Sequence, residues 1–335
     1  MRPLTGILFA VPHDGGAHSA PAREPIGAQG SGQGTKPECG GEPHVSRMRI
    51  DAHQHFWCYE PSEYDWIDAS MSVLRRDFLP REFEREMQSA RVDACIAVQA
   101  RQSLEETRWL LELADEHPRI AGVVGWVDLK SDDVRTQLER FAAHPKLVGV
   151  RHIVQGEPDD RFLLRDDFCR GIAQLEEFGL TYDILIYPRH LSIAAEFVAR
   201  CERQPFVLDH LAKPEIRAGR ILEWERDLRS LAAHPNVWCK LSGLVTEADW
   251  SRWTLAEIRP YLDVVFDAFG PTRLMAGSDW PVCTLAGEYG RVNALITDYL
   301  EDHPEPVRQA ILGGNANRFW RLDARLTPAA EEPLR

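Results

Sequence analysis

From residue 48 onward, eight short apolar, β-branched runs alternate with longer segments that read as helices, and this rhythm constrains the fold more than any other feature. The runs span 49–53, 94–99, 120–127, 147–152, 181–186, 206–210, 236–241 and 273–278. The segments between them carry helix signals. Pro80 opens Pro80-Arg81-Glu82-Phe83, with proline suited to a first helical turn. Ser103, followed three residues later by Glu106, reads as a capping box, and Asp132 or Asp133 offers a cap for the next helix. Eight strand–helix units within residues 48–322 predict a (β/α)8 TIM barrel. An open doubly wound sheet would place a glycine-rich phosphate turn after its first strand, but Asp51-Ala52-His53-Gln54-His55 stands there.

The flanks differ from the rest. Residues 1–47 hold nine Gly and six Pro, and their four basic residues balance four acidic ones. Such a segment buries too little apolar surface to offset its ordering entropy, so it is expected to be a disordered N-terminal tail. An upstream-assigned start codon would leave the same pattern before Met48. The short run Ile7–Val11 lacks the flanks of a signal peptide. Residues 323–335 are expected to form a C-terminal tail. Because residues 1–47 are balanced, the net charge of -13 belongs to the chain after residue 47. A surface this acidic repels nucleic acid and anionic membrane, and no apolar run is long enough to span a bilayer. Seven scattered cysteines without a CxxC pair argue for a reducing, cytoplasmic setting.

In a β/α barrel the chemistry lies where the strands end. The first run ends in His53-Gln54-His55, two imidazoles on one side of a strand, with Asp51 below them in the same parity. The fourth ends in Arg151-His152, and the sixth in Asp209-His210 followed by Lys213. Asp209, opposite in parity to His210, is expected to point out of the barrel. The seventh carries Lys240 and Ser242, with Lys240 expected in a structural pair. The eighth ends in Gly277-Ser278-Asp279-Trp280. Chance rarely gathers His53, His55, His210 and Asp279 at one end of a barrel. His117, His144 and His234 follow helices and belong at the opposite end. Trp57 and Trp280 flank the central motifs and offer an aromatic wall for the apolar faces of a sugar ring.

Asp51-Ala52-His53-Gln54-His55-Phe56-Trp57 together with Gly277-Ser278-Asp279-Trp280-Pro281 resembles the amidohydrolase superfamily. Gly149-Val150-Arg151-His152, Leu208-Asp209-His210-Leu211-Ala212-Lys213-Pro214 and Lys240-Leu241-Ser242-Gly243 resemble its branch of sugar-acid and pyrone-dicarboxylate lactonases. The resemblance implies an amidohydrolase-type barrel that opens the lactone ring of a sugar acid. It implies Asp279 as general base toward water, with His53, His55 and His210 near the substrate carbonyl. It marks Arg151 as a substrate-holding position; His152, Trp57, Lys213 and Trp280 are the further substrate-binding candidates. The superfamily's bridging lysine or glutamate and its strand-five histidine have no counterpart, since Arg151-His152 and Tyr187-Pro188 stand there and His190 comes late. The expected cofactor is therefore none, or a single zinc-like divalent ion on His53, His55 and Asp279. The expected partner is a small-molecule lactone. A non-oxidative decarboxylase and a non-catalytic sugar-acid binder are the alternatives.

Overall fold

The structure is a computed structural model and describes residues 48–323. The expectations for residues 1–47 and for the tail beyond Asp323 lie outside the described residues. Eight parallel strands form one sheet in sequence order: β1 Ile50–Gln54, β2 Ala94–Val98, β3 Ile120–Gly125, β4 Leu147–Ile153, β5 Thr181–Leu185, β6 Phe206–Leu208, β7 Val237–Leu241 and β8 Leu274–Ala276. Eight helices intervene or follow: α1 Pro80–Ser89, α2 Leu104–Glu116, α3 Val134–Ala142, α4 Asp166–Leu175, α5 Leu191–Ala199, α6 Leu222–Ala232, α7 Leu255–Phe269 and α8 Tyr289–Tyr299. Two short helices, α9 Glu305–Gln309 and α10 Asn315–Trp320, complete the described chain. The expected (β/α)8 barrel is the observed fold. No helix among the described residues is long and apolar enough to cross a membrane.

Strands buried on both faces read as continuous apolar runs, because helices cover one face and barrel side chains fill the other. Each helix turns one apolar stripe inward, as Pro80, Phe83 and Met87 do on α1 and Trp224, Leu228 and Leu231 on α6. Local capping differs in detail from expectation. Ser103 Oγ accepts from the Glu105 and Glu106 N–H groups. The buried Glu106 carboxylate turns away and accepts from the Ala100 and Arg101 N–H groups, 3.1 and 2.8 Å away, pinning the β2–α2 loop. Asp133 precedes α3 without a side-chain cap bond, because its backbone is not extended there.

β8 and β1 close the barrel where the Trp280 peptide runs beside Gln54. Two hydrogen bonds make this seam: Asp279 N–H to the His53 carbonyl, 2.8 Å, and His55 N–H to the Trp280 carbonyl, 2.7 Å. The opposite end of the barrel is plugged by α10. Asn315 Nδ2 donates to the Leu274 carbonyl, 2.6 Å away, at the start of β8. Trp320 packs among inward residues such as Ile50, Ala52, Val148 and Met275, and its Nε1 donates to Thr181 Oγ1 at 3.1 Å. Removing so large a buried ring leaves a cavity the strands cannot collapse into. Trp320→Ala should cost about 3–5 kcal/mol of unfolding free energy in urea melts. A loss below about 1 kcal/mol would show that Trp320 does not form the barrel floor.

Candidate active site

Strand ends deliver the polar side chains, but strict alternation does not hold there. The β1–β2 register shifts between Asp51 and Gln54. As a result Ala52 and His53 both face inward, and Asp51 turns outward to Ser278 N–H at 2.9 Å and Tyr289 O–H at 3.1 Å. Burial raises the Asp51 carboxyl to about 6, against these hydrogen bonds. Asp51 therefore ties β1 to β8 and α8 and does not sit beneath the imidazoles.

β6 and β8 stop earlier than their apolar runs suggest. His210, Leu211, Ala212 and Lys213 all take positive φ (55°, 56°, 58° and 53°), and Asp279 follows at 61°. Non-glycine residues rarely adopt this region, and such strain concentrates at functional sites. The left-handed turn brings both Asp209 and His210 inward, which alternation forbids. The expectation that Asp209 points out of the barrel is thereby corrected. Gly243 (φ 64°) lies against this turn: a Cβ there would stand 2.5 Å from His210 Nδ1, so only glycine admits the ring.

Asp279 Oδ1 gathers the three imidazoles, at 3.3 Å from His55 Nε2, 3.7 Å from His53 Nε2 and 3.9 Å from His210 Nε2. His55 Nδ1 lies 2.8 Å from the Val98 carbonyl and donates to it, which turns Nε2 toward the site. His210 Nδ1 meets Ser242 Oγ at 2.9 Å. Burial pushes His210 down to about 4, with Asp279 and Asp209 opposing. Burial likewise holds His53 well below its ordinary range, against the pull of Asp209. Burial alone would raise Asp279, but the neighbouring histidines outweigh it and keep the carboxyl below the usual carboxylate range. At neutral pH Asp279 is thus an ionised carboxylate beside the neutral imidazoles of His53 and His210.

Beneath it lies a sealed ionic network. Arg151 Nη1 donates to Asp209 Oδ2 at 3.0 Å and reaches His53 Nε2 at 3.3 Å, while Nη2 donates to the Gln99 carbonyl. Lys240 Nζ donates to Asp183, pairs with Asp209 Oδ1 at 3.0 Å and touches His53 Nδ1 at 3.2 Å. Two cations and two carboxylates balance in a nearly solvent-free space. Burial raises Asp183 to about 7, with Lys240 opposing, whereas Lys240, His53 and Arg151 overcome burial at Asp209 and hold it well below the carboxylate range. Lys240 is paired structurally, as expected. Asp183 escaped the sequence reading because it sits in mid-strand rather than at a strand end.

Above the cluster opens a cavity of about 530 Å³ lined by His55, Arg151, His210, Lys213 and Asp279 among others. The other expected contacts sit elsewhere. His152 points into the helix layer, bonded to Glu157 at 2.7 Å and stacked on Phe162. Trp57 and Trp280 are buried under the rim, Trp57 against Phe78 and Trp280 stacked on Phe83 at 4.6 Å. Aromatic lining comes instead from Trp66, Tyr187 and Trp250, two of them on loops that carry no strand-end signal. His190 bonds Tyr187 N–H and Asp160. His117 and His144 pair with Glu84 and Asp115 on the helices, away from the cavity.

His53 Nε2, His55 Nε2 and Asp279 Oδ1 lie within 4.8 Å of one another, as do ligand atoms of His53, Asp209 and His210. The first set fits one divalent ion, with two imidazole nitrogens and a carboxylate oxygen beside an open cavity. The second is closed by Arg151 and Lys240, which already occupy Asp209.

This is a barrel whose strand ends gather one carboxylate and three imidazoles at the floor of a cavity. The chain belongs to the amidohydrolase family, whose profile matches residues 50–322. It is 45% identical over 297 residues to an L-fucono-1,5-lactonase of Burkholderia multivorans, covering 84% of this chain and 100% of the relative. It is 39% identical over 281 residues to an L-fucono-1,5-lactonase of Burkholderia ambifaria, covering 82% and 96%. Crystal structures of an amidohydrolase from Burkholderia multivorans, one with bound HEPES and one with bound zinc, superpose with a TM-score of 0.79 at 44% identity, over 82% of this chain and 99% of that one.

Two outcomes follow from the electrostatics. Removing Asp209 leaves two buried cations without their shared partner, so Asp209→Asn should lose roughly 3–5 kcal/mol in urea melts; a loss within 1 kcal/mol would remove the network as a support. His210 takes up a proton on unfolding between its ordinary 6.5 and about 4. Its contribution is present above that window and is lost as pH falls through it. The stability of the wild type relative to His210→Asn should therefore fall by on the order of 3 kcal/mol from pH 7 to 4. A pH-independent difference would show that His210 is not kept neutral by burial.

Proposed function

We propose that the protein hydrolyses the lactone ring of a neutral sugar acid, with Asp279 as the base that activates water. The meeting of Asp279 with His53, His55 and His210 on the floor of the cavity carries this reading, and the L-fucono-1,5-lactonase relatives support it. Water held at Asp279 gives its proton to the carboxylate as it attacks the carbonyl carbon. The carbonyl oxygen gains negative charge and is met by Arg151 and by His210, which donates from Nε2 when Ser242 O–H holds its Nδ1. Lys213, on the cavity wall, supplies the proton for the departing ring alkoxide. His53, His55 and Asp279 would hold one divalent ion, and zinc is the ion of the related crystal structure. Such an ion would polarise the carbonyl and acidify water.

The cavity's charge favours a neutral substrate. Arg151 and Lys213 are its cations, and the charge of Arg151 is already offset by Asp209. Lys240 is sealed below, and Arg189 pairs with Asp160. Asp65, Glu157 and Glu247 add negative charge to the lining, which repels a dicarboxylate. Trp66, Tyr187 and Trp250 offer faces for the C–H side of a sugar ring. The cysteines Cys58, Cys95, Cys169, Cys201, Cys239 and Cys283 are all free, in keeping with a cytoplasmic enzyme.

A pH-indicator assay tests the reading. Six-carbon aldonolactones should be opened and a pyrone dicarboxylate should not. Asp279→Asn should keep the wild-type melting temperature within a few degrees while kcat falls by about 10²–10⁴-fold. Turnover of the pyrone alone, or near-normal activity of Asp279→Asn, would overturn it.

A further inference from the structure

One buried ring meets two cations. Lys240 Nζ lies 3.2 Å from His53 Nδ1, and Arg151 Nη1 lies 3.3 Å from His53 Nε2. Neither cation can accept a hydrogen bond, so each calls for a lone pair on the imidazole. The His53 ring is neutral and has one lone pair and one proton. Burial decides which nitrogen keeps which. Lys240 has no exposed surface, and three acceptors ring its ammonium: an Asp183 oxygen, Asp209 Oδ1 at 3.0 Å and His53 Nδ1. An N–H left without a partner in such a place bears the full cost of lost water. A ring proton on Nδ1 would also press two donors together at 3.2 Å. Arg151 instead borders the cavity, where water or substrate can meet its N–H groups, and its Nη1 already donates to Asp209 Oδ2 at 3.0 Å.

We propose that Lys240 is a positioning residue that fixes the tautomer of His53. The ammonium takes Nδ1 as its third acceptor, the ring proton stands on Nε2, and His53 enters the site as a hydrogen-bond donor. Nε2 faces His55 Nε2 at 3.2 Å and Asp279 Oδ1 at 3.7 Å, the set that would hold a divalent ion. A histidine that binds a metal normally donates its other N–H to a carboxylate or carbonyl. At His53 that carboxylate is Asp209, with Oδ1 3.3 Å from Nδ1, but the ammonium is set against both atoms. An ion can therefore take Nε2 only by driving the ring proton to Nδ1, where it turns to Asp209 and faces Lys240. The ring keeps one proton throughout, and the cost lies in the displaced Lys240 bond. Lys240 thus holds down the metal affinity of the site and keeps a donor at its floor for the carbonyl oxygen. The use of that donor rests on the lactone-hydrolysis reading; the tautomer and the metal affinity do not.

The test is the tautomer of His53 in the metal-free, full-length protein labelled with ¹⁵N-histidine. It is read from NMR correlations between the ring nitrogens and the carbon-bound ring protons, with His53→Asn to assign the signals. The wild type should carry its proton on Nε2. Lys240→Met combined with Asp183→Asn removes one charge of each sign and leaves Arg151 at Nε2 and Asp209 at Nδ1. The ring should then shift to mainly Nδ1–H. In the same variant zinc, titrated against a chromophoric chelator, should bind about tenfold or more tightly than in the wild type. Lys240→Met alone is the second variant; melting temperatures identify one that fails to fold, and the other then decides. A wild-type ring protonated on Nδ1, or an unchanged tautomer in a folded variant, would overturn the role of Lys240. A shifted tautomer with wild-type zinc affinity would overturn its hold on the metal site. Both readouts are taken without substrate, so a failure of lactone hydrolysis would be seen separately and would leave them standing.

Discussion

The barrel closes through the same peptides that carry its chemistry. An eight-stranded parallel sheet must pair its last strand with its first, or two edges remain open. Here β8 contributes only three residues, and the seam is completed beyond it by Asp279 N–H on the His53 carbonyl and His55 N–H on the Trp280 carbonyl. The backbone positions of His53, His55 and Asp279 are therefore fixed relative to one another by closure of the fold. Asp51 reinforces the join from outside, bridging β1 to Ser278 and Tyr289. The carboxylate and the imidazoles cannot drift apart without opening the barrel.

Closure sets the backbone; the ionic network sets the side chains. His53 is gripped on both nitrogens, by Lys240 and Asp209 at Nδ1 and by Arg151 at Nε2. Asp209 joins the two cations, and Asp183 anchors the lysine. Charges so deeply buried persist only when each is paired. Within this balanced network Arg151 still borders the cavity, where a developing oxyanion requires a donor. Trp320 lies beneath Lys240, its ring 5.4 Å from the ammonium, so the plug of the barrel and the support of the site are in contact.

The fold was legible in the sequence because doubly buried strands write themselves as apolar runs, and the strand ends then singled out Asp279, His53, His55, His210, Arg151 and Lys213. Three kinds of detail were not legible. Hydropathy cannot see the register shift in β1 or the left-handed turn after Leu208, so the inward Asp209 and the outward Asp51 were read the wrong way round. Alternation alone turns His152 away from Arg151, and the structure places it in the helix layer. Tryptophans beside the motifs proved to be packing under the rim, whereas Trp66 and Trp250 reach the cavity from loops whose course depends on tertiary contacts.

In the mechanism we propose, Asp279 acts as a base toward water and does not itself attack the lactone. A single turnover in ¹⁸O-water, with enzyme in excess over L-fucono-1,5-lactone, separates the two directly. A base delivers solvent oxygen at once, so the first-turnover product should carry ¹⁸O in its carboxylate and Asp279 should remain unlabelled. Unlabelled first-turnover product with ¹⁸O appearing in the Asp279 side chain would mean a covalent acyl-enzyme and would contradict the account.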